Sequence, residues 1–86
     1  MYKVDVGPKA GKFIRKQDTP IQQQIIRKLR ELEVNPRPHG CKRLQGQKDL
    51  YRVRTGDYRI IYTIKDNQLL VLVAQVGHRR DVYREK

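Results

Sequence analysis

The chain opens with an alternating run, Tyr2 to Val6, rich in β-branched and aromatic residues, which predicts a short strand. Gly7-Pro8 breaks it. Pro8 to Lys16 then sets Phe13 and Ile14 among Lys9, Lys12, Arg15 and Lys16, a helical pattern. Gly11 weakens that helix by roughly 1 kcal/mol relative to Ala. The clearest helix follows, with Ile21, Ile25, Leu29 and Leu32 at helical spacing and Ile26 widening the stripe. Its expected start has Thr19 as N-cap, Pro20 at the first helical position and Gln22 completing a Thr-x-x-Gln capping box. Asn35-Pro36 ends it, because a residue before proline avoids the helical region. Asn35 to Lys48 contains Pro36, Pro38, Gly40 and Gly46 and reads as a connection, with a short extended piece near Arg43 and Leu44. Three strands are expected after it: Leu50 to Arg54, Asp57 to Ile64 and Leu69 to Val76. Turns are expected at Thr55-Gly56 and Asp66-Asn67. The last strand, LLVLVAQV, is apolar on both faces, which suggests a central strand covered in part on both sides.

Those elements fill 86 residues, so a single domain over 1–86 is expected. No apolar run approaches the ~20 residues needed to span a bilayer. The start, MYKVDVGPKA, has no apolar segment of the kind a secretory leader carries. The one cysteine, Cys41, forms no intrachain disulfide, and a reducing, cytoplasmic setting fits best. Cys41, His39 and His78 lack metal-ligand spacing, so no metal or other cofactor is expected. Cys41 and His39 are read as structural residues of the connection.

Charge changes this picture. Twenty Lys and Arg against nine Asp and Glu give a net +11. Self-repulsion of that size destabilises a compact chain unless something anionic meets it. The cations are spread over both halves, with no polybasic tail, so the charge belongs to the folded domain. That favours a shaped polyanion site.

The stretch LYRVRTGDYRIIYTI, residues 50–64, shows where such a site would lie. Side chains alternate faces along a strand. A two-residue loop at Thr55-Gly56 or Gly56-Asp57 would put Tyr51, Val53, Tyr58 and Ile60 together toward the helices. Arg52, Arg54 and Arg59 would then share the opposite face. A loop of odd length would mix arginine with isoleucine on both faces, so burial selects the even one. Three like charges on neighbouring strands repel one another. They make either a solvated face that discourages edge-to-edge aggregation or a phosphate site of forked guanidinium donors. The net charge weights the second. The loop after Ile64 leaves open whether Arg79 lies beside Arg59.

Taken in order, the leading strand, the two helices, KRLQG at Lys42 to Gly46, the Tyr-Arg-x-Arg strand, GDYRIIY and VGHRRDVY resemble the RelE/ParE toxin superfamily, and more closely its RelE branch. The resemblance implies an α+β fold of the microbial-ribonuclease type: a small twisted antiparallel sheet with two N-terminal helices packed on one face. It implies a toxin of a type II toxin-antitoxin system, a ribosome-dependent, metal-independent endoribonuclease that cleaves mRNA in the ribosomal A site. Its implied partners are the ribosome, mRNA and a RelB-like antitoxin in a hetero-oligomer, with no membrane. The catalytic set implied is Arg52, Arg54, Arg59, Arg79 and Tyr83. Lys42, Arg43, His78 and Arg80 are implied as RNA- or ribosome-binding.

In family members of known mechanism the basic pair at positions matching Arg52 and Arg54 is lysine. Arginine cannot pass a proton at ordinary pH, so these two suit charge stabilisation rather than acid–base work. Tyr83 is then the candidate base, with packing of the C-terminal segment as its plainer account. His78 is a second titratable candidate, with a polar strand end as its plainer account. Three other functions compete: a ParE-like DNA gyrase inhibitor, a non-catalytic RNA-binding module, and an interaction module for an acidic partner. The RNA-binding module would need aromatics on the basic face, where the expected register puts none.

Overall fold

The computed structural model describes residues 1–44, 46 and 49–78. Strand β1 (Lys3–Val6) leads into helices α1 (Pro8–Arg15) and α2 (Thr19–Val34). Strands β2 (Lys42–Arg43), β3 (Leu50–Thr55), β4 (Tyr58–Lys65) and β5 (Leu70–His78) follow. They form one sheet in the order β1-β5-β4-β3-β2. This is the expected α+β fold, with one difference: β1 pairs parallel to β5, so the sheet is mixed, and only β2 to β5 are antiparallel. The helical excursion between β1 and the rest allows that parallel pairing. β5 is an interior strand, as its apolar run suggests, and β4 is the central one.

The start of α2 departs from the expected capping box. Asp18 is the N-cap, Thr19 and Pro20 are the first two helical residues, and no side chain caps the end. Gln22 instead donates from Nε2 to the carbonyls of Ile14 (3.0 Å) and Arg15 (3.4 Å). It thereby satisfies the orphan carbonyls at the end of α1 and ties the two helices together. Ile25, Leu29 and Leu32 are buried against the sheet, whereas Ile26 is left 41% exposed rather than widening the stripe. Ala10 of α1 is buried, with Phe13 and Ile14 packed at the margin.

The helices cover one face of the sheet, where Val53, Ile60, Tyr62, Ile64, Val71 and Val73 complete the core. Tyr62 is fully buried and its hydroxyl donates to the Pro36 carbonyl at 2.7 Å. Burial first, and the neighbouring Cys41 second, push its phenol pKa up. Arg37 lies in the same connection. It donates to both oxygens of Asp66 (3.2 and 2.9 Å) and from Nε to the Tyr51 hydroxyl (3.4 Å), while Tyr2 donates to Asp66 at 2.7 Å. The connection is thus fixed to the Asp66–Gln68 3-10 turn between β4 and β5. At the other end of the sheet, Gln24 Nε2 holds the Thr55 carbonyl at 2.7 Å. A side chain at Gly56 (φ 62°) would be strained and would strike Gln24.

Candidate active site on the open sheet face

The β3–β4 hairpin turns through two residues, Gly56 and Asp57, the even loop that burial selects. Arg54 therefore stands directly opposite Arg59, and Arg52 opposite Ile61. The short strand β2 sets Lys42 opposite Arg52. All four cations project from the face that the helices leave open, in two adjacent rows, with directly opposed Cβ atoms about 4.5–5.5 Å apart.

The register of β5 completes these rows in a way the sequence concealed. A bulge at Ala74, opposite Ile61 and Tyr62, shifts the pairing by one residue. As a result Gly77 lies across from Arg59, and Gln75 across from Ile61. Gly77 has no side chain to compete for the space over Arg59. Arg59 is half-buried and its Nε is closed to solvent.

The open face also has an apolar floor. Ile61 (3% exposed) and Leu44 (7%) pack together with Leu50 beside the cations. Leu44 is held there by its backbone N–H bond to the Leu50 carbonyl, 2.9 Å. Charges set beside such a low-dielectric patch are screened less than charges in water. Next to them, His39, Gly40, Lys42, Arg52, Val53 and Arg54 line a depression of about 370 Å³. His39 was expected to be merely structural. Its place in that lining comes from the Pro36–Gly40 turn, and nothing in its sequence context signals it. Unlike the arginines, its ring can accept or donate a proton.

The other predicted residues fall differently. Arg43 pairs with Tyr51 and points to the opposite face from Lys42. His78 pairs with Tyr58 on the helix side, where the two rings meet edge to face at 5.6 Å. Neither joins the arginines. Arg79, Arg80 and Tyr83 lie outside the described residues. The tyrosines of β3 and β4 serve the helix side: Tyr51 stacks on Tyr62 at 5.9 Å, and Tyr58 tilts against Phe13 at 6.1 Å. The open face therefore offers forked donors without a stacking platform from those tyrosines. Among the described residues, no three His, Cys, Asp or Glu side chains are grouped to hold a metal ion. No helix is long and apolar enough to cross a membrane.

Residues 7–83 match the family described as the ParE toxin of type II toxin-antitoxin systems, parDE. The chain belongs to that toxin family. A RelE-like toxin protein of Escherichia coli is 38% identical over 86 residues, covering 95% of this chain and 90% of its own length. The mRNA interferase toxin RelE of Escherichia coli (strain K12) is 34% identical over 88 residues, covering 98% and 92%. In the intact E. coli RelBE toxin-antitoxin complex, a chain 30% identical superposes with a TM-score of 0.79, covering 91% of this chain and 96% of that one. The protein is a RelE-like toxin of a toxin-antitoxin system.

Proposed function

We propose that this toxin is a ribosome-dependent endoribonuclease that cleaves mRNA in the ribosomal A site, acting as a single domain over residues 1–86 in the cytoplasm. The observation that carries the reading is the opposed pair Arg54–Arg59 beside Arg52 and Lys42 on the sheet face that the helices leave open. The relative named mRNA interferase toxin RelE supports it. In the reaction, the 2'-oxygen of one nucleotide bonds to the adjacent phosphorus, and the bond to the 5'-oxygen of the next breaks. The products are a 2',3'-cyclic phosphate and a 5'-hydroxyl. Charge accumulates on the phosphoryl oxygens in the pentacovalent transition state. Arg52, Arg54 and Arg59 offer fixed donors to it, without passing protons themselves. Tyr83 as phenolate takes the 2'-hydroxyl proton, and the leaving oxygen takes one from water. Arg79 joins the guanidinium set, whose charge favours the phenolate. No step requires a metal.

The antitoxin we infer is RelB-like, as in the E. coli RelBE complex. It meets the +11 chain either by covering the basic face or by displacing the segment that carries Tyr83. A second reading, inhibition of DNA gyrase without RNA chemistry, draws on the ParE description of the matched family.

Primer extension on a defined mRNA, translated in vitro with purified ribosomes, separates the two. Cuts at A-site codons that need the ribosome and fade in Arg79→Ala and Tyr83→Phe are expected. Absence of cuts by a chain that still arrests growth and inhibits gyrase supercoiling would establish the second reading instead.

A further inference from the structure

A second basic cavity lies on the other side of the sheet. β1 ends at Val6, paired with Val73, so the edge of β5 from Gln75 to His78 has no strand beside it among the described residues. α1 passes there instead, leaving a cavity of about 330 Å³ between Lys9, Lys12, Phe13 and Lys16 and the strand edge. That is the small end of the range for ligand sites, about 300–1,000 Å³.

Its chemistry is uniform. Lys9 and Lys12 of α1 and its C-cap Lys16 follow one another at spacings of three and four, and no acidic residue lines the cavity among the described residues. Like charges so placed destabilise a helix. Among the described residues none of the three has an ion-pair partner. The floor is aromatic: Phe13, the one phenylalanine of the chain, and His78 both face the cavity and both contact the Tyr58 ring. Cations over aromatic rings form the combination that takes single-stranded nucleic acid. An acidic peptide would use the lysines and have no need of the rings. Gly77 lines this cavity and is also the cross-strand neighbour of Arg59, so the two sites adjoin along β5.

We propose that this cavity holds one nucleotide of an RNA strand that also engages the arginine face, with its phosphate on Lys9, Lys12 and Lys16 and its base against Phe13 and His78. The inference rests on the reading that RNA is the substrate, and extends the site to a flanking nucleotide.

The test is fluorescence anisotropy of a labelled, non-cleavable 2'-O-methyl RNA decamer with the full chain, from 50 to 200 mM KCl. Replacing all three lysines by glutamine should weaken binding about tenfold or more and reduce the salt slope by about 2. The triple Lys→Arg variant should bind as wild type. Phe13→Leu should weaken binding several-fold with an unchanged salt slope. Unchanged affinity and slope in the triple glutamine variant would overturn the proposal. So would poly-glutamate binding that outcompetes RNA, depends on the lysines and ignores Phe13→Leu, since the cavity would then serve an acidic protein. Arg54→Gln, measured alongside, separates the two readings. If it weakens RNA binding while the lysine variants do not, only the flanking site fails. If no variant affects RNA binding, the RNA reading itself fails.

Discussion

The two faces of the β3–β4 hairpin are made from the same fifteen-residue stretch, residues 50–64, by alternation alone. Toward the helices lie Val53, Ile60 and Tyr62, each nearly or fully buried. Away from them lie Arg52, Arg54 and Arg59, joined by Lys42. A period of two lets one ribbon supply both the core and the candidate site, so stability and activity should separate by the parity of the residue changed. The separation has a limit, because the open face also carries the packed pair Ile61 and Leu44.

The strongest test of the helix side is Tyr62→Ala. It removes a fully buried ring, its stack on Tyr51 and the hydroxyl bond to Pro36. A loss of about 3–5 kcal/mol is expected in urea unfolding, a large part of the margin of so small a fold. On the other face, Arg54→Ala should do the opposite. Arg54 is exposed, so stability should hold within about 0.5 kcal/mol. Single-turnover cleavage on ribosomes should fall roughly 10²- to 10³-fold, the usual effect of removing one donor to a developing anion. Cleavage at wild-type rate would mean that the opposed pair Arg54–Arg59 is not the phosphate site. Ile61→Ala probes the limit of the comparison. It lies in the arginine rows yet is 3% exposed, and should cost about 2 kcal/mol because its cluster is small. A cost near zero would show that the floor beside the arginines contributes nothing to the fold.

The parity argument was legible because it needs only strand period, loop length and the penalty for burying unpaired arginine. It foresaw Arg52, Arg54 and Arg59 on one face and the tyrosines on the other. Three features were not legible. The bulge at Ala74, which brings Gly77 opposite Arg59, depends on pairing between strands and leaves no mark in an apolar run such as LVLVAQV. The parallel pairing of β1 is a property of where the helices return the chain. The capping box failed because Gln22 has better acceptors, the free carbonyls ending α1, which become its neighbours only after the helices pack. In the site, Lys42 joined the arginines while Arg43 did not, since adjacent residues of a strand face opposite ways. His39 was missed because its position is fixed by a proline-rich turn rather than by any periodic element.

The smallest expected effect concerns the connection that delivers Lys42 and His39 to the open face. Asp66 sits at the opposite end of β4 from the Gly56 turn and accepts hydrogen bonds from Arg37 and Tyr2. Those bonds, the Arg37 guanidinium foremost, hold its carboxyl pKa down to about 2 from an ordinary value of 3.8. A depressed carboxyl stabilises the fold fully above its unfolded pKa and loses that contribution as protons fill the folded site. Stability should therefore decline as pH falls from about 4 toward about 2, and Asp66→Asn should flatten that part of the profile. The pair is exposed to solvent, so the change should be small and should shrink further in salt. Urea midpoints of both proteins at pH 5, 3.5 and 2.5 measure it. An equally steep decline in the Asn variant would assign the acid sensitivity to other carboxylates and leave the connection held by the Tyr62–Pro36 and Arg37–Tyr51 bonds.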